Sequence, residues 1–296
     1  MQAHYENSAL QIREVVEKTG LNFPNIPVEV IIHPFFNHPA ARASLNARFD
    51  RIIITVPYQW MIEKKLRGKF VVIPNTPIRT LGAFYHEFGH AIFRFNSEKS
   101  ESSLLSEYYQ IKRKFVNLTT RIIELRSRLN KKNLSTDQIN AQTSEEKGEW
   151  LMLKDHYDKI TNSDAGKIIN GLDEFFADAV AVVISKNPHV ISDIFTINSK
   201  KSGEDYDQAR DFSNPKNSIR QFEGEWDDPH DYFAPARFHL YKKYLSVGRY
   251  SPSILFAVFK AIENVTATLS IEQDLDLFRL NNFLIEALDN QLSVVK

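Results

Sequence analysis

The sequence contains no cysteine among its 296 residues. This absence excludes disulfide bonds, metal sites built from thiolates and a cysteine nucleophile. It does not indicate a compartment. Long apolar runs are also lacking: no run reaches about eighteen residues, so we expect no transmembrane helix.

An excess of charge of either sign is absent too. Lys+Arg and Asp+Glu both number 37, which points away from nucleic acid or an anionic membrane as a partner. The first residues, Met1 to Asn7, have no basic start followed by an apolar run, so we do not expect a signal peptide in the chain as given. A secreted or periplasmic chain whose leader had been removed would look the same.

The chain is instead rich in hydrophobic residues, at 43%, with 21 Phe, which indicates a globular protein. Its length allows one large domain or two closely packed lobes around a substantial core.

One stretch, residues 81–93, contains the pattern His-Glu-x-x-His at His86, Glu87 and His90. Thr76 as N-cap and Pro77 as first helical residue predict that it is helical. A helix places the two histidines one turn apart on one face, where they can hold one metal ion. Glu87 then lies beside the ion and can take a proton from a water. The alternative is two histidines and a glutamate satisfied by hydrogen bonds on a partly buried helix.

A metal site of this kind needs a third protein ligand. The strongest candidate lies in residues 170–183, an apolar stretch with helical spacing. Acids in such a stretch are costly unless they are paired or bound to a metal. Glu174 and Asp178 share a face, so we expect Glu174 to bind the metal and Asp178 to accept the second N–H of a ligand histidine. The alternative is a helix whose acids point to solvent.

His86-Glu87-x-x-His90, followed far downstream by Glu174-x-x-x-Asp178, resembles the gluzincin group of zinc metallopeptidases, thermolysin-like proteins in the broad sense. The resemblance implies one Zn²⁺ ion held by His86, His90 and Glu174. It also implies Glu87 as general base and Asp178 as the partner of a ligand histidine. It covers two short helices and not the whole chain. The third histidine of the metzincin pattern does not follow His90.

Residues 226–239 contain several side chains that could donate hydrogen bonds to a substrate. Peptide hydrolysis develops an oxyanion that a nearby donor must stabilise. Similar gluzincins place a histidine, oriented by an aspartate, downstream of the ligand glutamate, and some add an arginine a few residues later. Asp228-x-His230 and Arg237 resemble that arrangement and predict His230 and Arg237 as catalytic donors. Tyr232 and His239 are the alternatives, and so is a plain surface turn before an amphipathic helix.

The region before the motif predicts a small sheet. Residues 28–33 and 51–56 are β-branched strands, and residues 69–73 form a weaker third candidate. A helix is expected at residues 7–19 and a short one at 58–66. In gluzincin-like proteins an edge strand pairs with the substrate main chain, and we assign Arg51–Val56 to that edge.

Between the two halves of the metal site lies a heptad pattern. Apolar residues recur at alternating spacings of four and three from Leu104 to Leu129, and again from Trp150 to Ile160 after a polar stretch. This predicts an antiparallel helical hairpin. A packing arm is the simplest interpretation, with a lid over the cleft or a docking arm as alternatives.

We therefore expect an α+β, mainly helical fold with a zincin-like catalytic domain. Residues 1–96 would form the N-terminal sheet and motif helix, 97–163 the inserted hairpin, and 164–296 a helical lobe carrying the third ligand and the oxyanion donors. The predicted function is zinc-dependent hydrolysis of a peptide or protein substrate. The oligomeric state is not specified.

Three other interpretations remain open. The same ligand set can describe non-haem iron, although Glu87 favours hydrolysis because an iron oxygenase has no need of that base. A catalytically silent scaffold would use the hairpin for partner binding. A zinc amidase would act on non-protein amides such as cell-wall peptides.

Overall fold

The protein's structure is a computed structural model that describes residues 2–23, 27–33, 42–45, 51–57, 59–64, 69–74, 77–132, 134–194, 208–219, 228–271 and 276–294. Its architecture is mainly helical with a small β component near the N-terminus, as the sequence predicts. No helix among the described residues combines the length and the apolar character needed to cross a membrane.

The main sheet has three strands, β1 (Val28–His33), β2 (Arg42–Leu45) and β3 (Ile52–Pro57). β3 lies in the centre, parallel to β1 and antiparallel to β2. The prediction that Arg51–Val56 forms the edge is therefore wrong. The reason is that β3 has a hydrogen-bonded neighbour on each side, and no single strand's sequence specifies how many partners it has. One face of β3 packs on the core through Ile52, Ile54 and Val56.

A second, two-stranded sheet pairs β4 (Gln59–Lys64) with β5 (Lys69–Pro74) in antiparallel register. The predicted strand at 69–73 is confirmed, whereas the predicted short helix at 58–66 is wrong. Pairing with a β-rich neighbour outweighs the weak helical pattern of that segment, because strand formation depends on the partner more than on local propensity.

Helix α1 (Gln2–Glu17) begins earlier than predicted and buries Ile12 and Val16. Helix α2 (Pro77–Ser97) carries the His-Glu-x-x-His motif. The predicted N-cap, Thr76, lies outside the described residues. β2 and β3 both pack against α2, so the small sheet lies beside the motif helix.

The hairpin is built from α3 (Ser103–Asn130) and α5 (Ser144–Thr161), and a short helix, α4 (Thr136–Gln142), lies in the polar connection. Phe115 of α3 stacks on Tyr157 at a ring-centroid distance of 4.4 Å. Further along α3, Thr119 accepts a hydrogen bond of 2.8 Å from Trp150 Nε1. As the α3 number rises the α5 number falls, so the helices run antiparallel, as the heptad spacing predicts.

Helix α6 (Asp164–Ser185) follows the hairpin and packs lengthwise on α2 at the centre of the molecule. Gly89 permits this contact, because a Cβ built there would lie 2.6 Å from Ala177 Cα in α6. The C-terminal lobe consists of α7 (Ala234–Lys243), α8 (Ser253–Thr266) and α9 (Leu277–Leu292). It joins the core through α8, where Phe259 meets Phe93 of α2 and Phe176 of α6.

Candidate metal centre

Three predicted ligands converge where α2 faces α6. The Nε2 atoms of His86 and His90 lie 3.1 Å apart. The Glu174 carboxylate lies 3.4 Å from Nε2 of His86 through Oε2 and 3.5 Å from Nε2 of His90 through Oε1. One donor atom from each residue lies within 4.8 Å of the others, so this group could hold a metal ion.

The donor separations fit a small metal ion. Ligand bonds of about 2.0–2.1 Å at tetrahedral angles place donor atoms about 3.3–3.5 Å apart. The separations of 3.1, 3.4 and 3.5 Å are close to that value, the last two being to different oxygens of the Glu174 carboxylate. Two imidazole nitrogens and one carboxylate oxygen are also a donor set that Zn²⁺ accepts, with a position left for water or substrate.

Each histidine is oriented by an aspartate of α6. Asp178 Oδ1 lies 2.9 Å from His86 Nδ1, which is the contact predicted for this residue. Asp173 Oδ1 lies 2.6 Å from His90 Nδ1. A carboxylate at Nδ1 favours the tautomer protonated there, so that Nε2 can serve as the ligand atom. At His86 that nitrogen also lies 3.3 Å from Arg210 Nη2. The two rings therefore present Nε2 to the same point.

The sequence interpretation did not assign a role to Asp173. It is buried, with 4% of its surface exposed, and its second oxygen accepts a hydrogen bond of 2.8 Å from the Tyr109 hydroxyl of α3. The available signal was the cost of burying an acid in an apolar helix. The same cost of burial applies to Asp173 as to Glu174 and Asp178.

Two arginines surround Asp178, which has no exposed surface. Arg210 donates from Nε at 3.1 Å and from Nη2 at 2.5 Å, and Arg237 donates from Nε at 2.9 Å. Arg210 Nη2 also lies 3.5 Å from Glu174 Oε2. Arg210 belongs to a polar segment without periodicity, so no sequence signal pointed to it.

The charges of this cluster keep its acids ionised. Burial alone would raise the pKa of Asp178, but Arg210 and Arg237 outweigh it and hold that pKa below its usual value. Burial would also raise the pKa of Glu174, yet the adjacent histidines and Arg210 hold it well below the ordinary range. Glu174 is therefore a carboxylate ready to bind a cation.

The same contacts affect His86. Burial and the charge of Arg210 lower its pKa, but hydrogen bonds to Asp178 and Glu174 outweigh them and raise it to about 9. At neutral pH the ring therefore carries a proton that a metal ion at Nε2 would have to displace, so metal binding here should strengthen as the pH rises.

His230 and Glu87 are less buried than the two histidines of the group. His230 Nε2 is 3.4 Å from Glu174 Oε1, and its side chain is 40% exposed. Its Nδ1 lies 2.5 Å from Asp228 Oδ1, so the predicted Asp228-x-His230 pair is formed. Glu87 is less buried than the histidines on either side of it in α2. A substrate could reach both residues.

The other three candidate donors occupy different surroundings. Arg237 has no exposed surface, and its guanidinium contacts Asp178, which favours a role in holding that carboxylate over contact with a substrate. The buried ring of Tyr232 packs against Gly171 in α6. His239 Nε2 lies 2.8 Å from Asp289 Oδ1 of α9. His230 is thus the candidate that combines exposure with a contact to Glu174.

Comparison of the chain with protein-family models, with curated proteins and with solved structures found no match. Its chemistry must therefore be inferred from its own residues.

Proposed function

We propose that this protein is a single-site zinc metallopeptidase with a zincin-like catalytic domain. The observation that carries the proposal is the convergence of His86 Nε2, His90 Nε2 and the Glu174 carboxylate within 4.8 Å. The aspartates at both Nδ1 atoms support it, because ligand histidines in metal sites have such partners.

His86, His90 and Glu174 would hold the ion. When bound there, Zn²⁺ would polarise a substrate carbonyl and make a water acidic near neutral pH. The same ligand set also suits non-haem iron. The glutamate directly after His86 favours hydrolysis, since it supplies a base that an oxygenase has no need of.

Two residues of the chain would move or stabilise charge. Glu87 takes a proton from the attacking water and passes it to the leaving amine. His230 donates from Nε2 to the oxygen on which negative charge develops, while Asp228 at Nδ1 keeps its ring oriented. Arg210 keeps Asp178 and Glu174 ionised and in place.

The substrate main chain needs a guide as well. Of the strands in the described part of the main sheet, β2 is the edge strand that packs beside α2. An edge strand offers unpaired backbone groups to an extended peptide. We assign to β2 the substrate-pairing role first expected of residues 51–56.

The test is cleavage of a mixed peptide library, including cell-wall peptides, by zinc-loaded protein and by Glu87→Gln. We expect cuts from the wild type that vanish in the variant while zinc stays bound. Glu286→Gln, an exposed glutamate of α9, is the matched control and should cleave as the wild type does.

Cleavage that persists in Glu87→Gln would reject the general-base role. Cleavage confined to cell-wall peptides would favour an amidase acting on those substrates. If the wild type binds zinc but cleaves no peptide in the library, a scaffold without turnover is favoured.

A further inference from the structure

A buried hydrogen-bonded path connects the inserted hairpin to a predicted metal ligand. Tyr109 of α3 places its hydroxyl 2.8 Å from Asp173 Oδ2. The other oxygen of the same carboxylate, Oδ1, lies 2.6 Å from His90 Nδ1. Two successive contacts therefore join the hairpin to the ring that presents Nε2 to the metal.

The Tyr109 side chain is held rigidly. It is 3% exposed, and its ring packs edge-on against Phe93 of α2 at 5.8 Å and against Tyr108 at 5.0 Å. A change of the side-chain χ1 angle, which is what would move the hydroxyl, would break these ring contacts. A donor held in this way can fix the direction of the group that it binds.

The protonation states suit a donor and an acceptor. Burial, followed by the charge of Asp173, raises the pKa of Tyr109 well above its usual value, so the phenol keeps its proton. Asp173 Oδ2 accepts from that hydroxyl at 2.8 Å. The tyrosine O–H therefore donates to a carboxylate.

We propose that Tyr109 is a positioning residue of the metal centre: its hydroxyl fixes the Asp173 carboxylate, which in turn orients His90 toward the ion. This inference rests on the metal site of the proposed function. It gives the base of the hairpin a role beyond packing. A carboxylate held at one oxygen alone can turn about its Cβ–Cγ bond, whereas one held at both oxygens presents a single geometry to the imidazole.

The neighbouring residue provides a matched control. Tyr108 is equally buried, at 1% exposure, and its hydroxyl donates to Asn170 Oδ1 at 2.7 Å. It therefore also joins α3 to α6 by one hydrogen bond. Phe at either position removes one buried hydroxyl and one contact between the helices. Only Tyr109→Phe removes the hydrogen bond to Asp173 Oδ2, which leaves that oxygen facing Arg94 Nε at 3.7 Å.

The experiment measures zinc affinity by competition with a chromogenic chelator for wild type, Tyr109→Phe and Tyr108→Phe. Losing a direct partner of a ligand costs about 10- to 100-fold in affinity, and Tyr109 acts one contact further out, so we expect a loss of about 3- to 10-fold. Tyr108→Phe should stay within about twofold of wild type. The visible spectrum of the cobalt-substituted protein should change in Tyr109→Phe alone, because that spectrum reports ligand geometry.

A second variant tests the route. In a background of Asp173→Asn, adding Tyr109→Phe should cause little further loss, because the residue through which Tyr109 acts has already changed. An undiminished loss in that background would overturn the proposal. Equal affinities for Tyr109→Phe and Tyr108→Phe would also overturn it, since both residues would then only hold helices together.

The outcomes separate this inference from the proposed function. If the wild type binds zinc but cuts no peptide, the proposed peptidase function is rejected. The role of Tyr109 still stands in that case, provided that the zinc affinities of Tyr109→Phe and Tyr108→Phe differ as expected. If the wild type binds no zinc, both the proposed function and the role of Tyr109 are rejected.

Discussion

Gly89 lies where α2 and α6 touch, next to His90 in sequence, and Gly89→Ala should separate the two halves of the candidate metal site. A Cβ at this position would lie 2.6 Å from Ala177 Cα, 3.1 Å from its carbonyl oxygen and 3.2 Å from its Cβ. Carbon atoms pack at about 3.5–4.0 Å, so the helices must move apart by about 1 Å. The obstacle is backbone, which cannot rotate aside.

That displacement is large compared with the reach of a metal ion. His90 Nε2 and Glu174 Oε1 are 3.5 Å apart, each on one of the two helices. Bonds of about 2.1 Å cannot join donors more than about 4.2 Å apart, so a further 1 Å of separation breaks one bond or strains both. We expect zinc affinity to fall by about 10- to 100-fold or more. Overpacking should cost about 1–3 kcal/mol of unfolding free energy, offset by up to about 1 kcal/mol of helix propensity.

Two other glycines serve as controls. Gly82→Ala, also in α2, would meet Val190 through a methyl group at 2.6 Å and the backbone oxygen at 3.2 Å, and Ile194 at 3.3 Å. These residues lie outside α6, so zinc affinity should stay near wild type. Gly148→Ala in α5 meets nothing within 4 Å and should stabilise the fold by about 0.5–1 kcal/mol. The assays are chelator competition for zinc and thermal unfolding with chelator present. Wild-type zinc affinity in Gly89→Ala would refute the reasoning.

Three further predictions follow from the same cluster of residues. Asp178→Asn removes the negative charge that faces two buried arginines and should lower the unfolding free energy by about 3–5 kcal/mol. Denaturant unfolding with chelator present measures this change, and a loss below about 1 kcal/mol would contradict the prediction. His230→Phe should lower kcat by about 100-fold with zinc retained, and unchanged turnover would assign the oxyanion to another donor. Burial, together with Arg94, lowers the pKa of Lys112 in the folded protein to about 8. In the unfolded chain its pKa is about 10.4, so between about pH 8 and about pH 10.4 the unfolded chain binds more protons than the folded protein. The unfolding free energy of the wild type should therefore rise with pH, by about 2 kcal/mol relative to Lys112→Met between about pH 7.5 and 9.5. Parallel plots of unfolding free energy against pH for the two proteins would refute the shift in the pKa.

The pairing of the two candidate ligands on α2 could be predicted because its geometry is local. In a helix, a spacing of four residues places His86 and His90 on one face whatever the rest of the fold does. The hairpin was predictable for the same reason, since heptad spacing records where one helix contacts its neighbour in sequence. Glu174 and Asp178 required only the cost of burying acids in an apolar helix.

The errors and omissions concern contacts between distant segments. Residues 59–64 form a strand because β5 pairs with them, and residues 52–57 occupy the centre of the sheet because β2 pairs with their second edge. The partner of a strand cannot be read from the strand itself. Arg210 lies 32 positions from Asp178 in the chain and could not be placed from a polar segment without periodicity.

By itself the sequence determined the types of donor atom, the helix that carries two of them, and the acids that had to find partners once buried. Local spacing and the cost of burial are properties of short segments, and these conclusions need nothing else. Only the tertiary structure decided which partner each group found. It placed Glu174 opposite the two histidines, Arg210 on Asp178 and a hairpin tyrosine on Asp173. Those pairings depend on how closely α2, α3 and α6 approach one another, and that approach depends on the packing of the whole core.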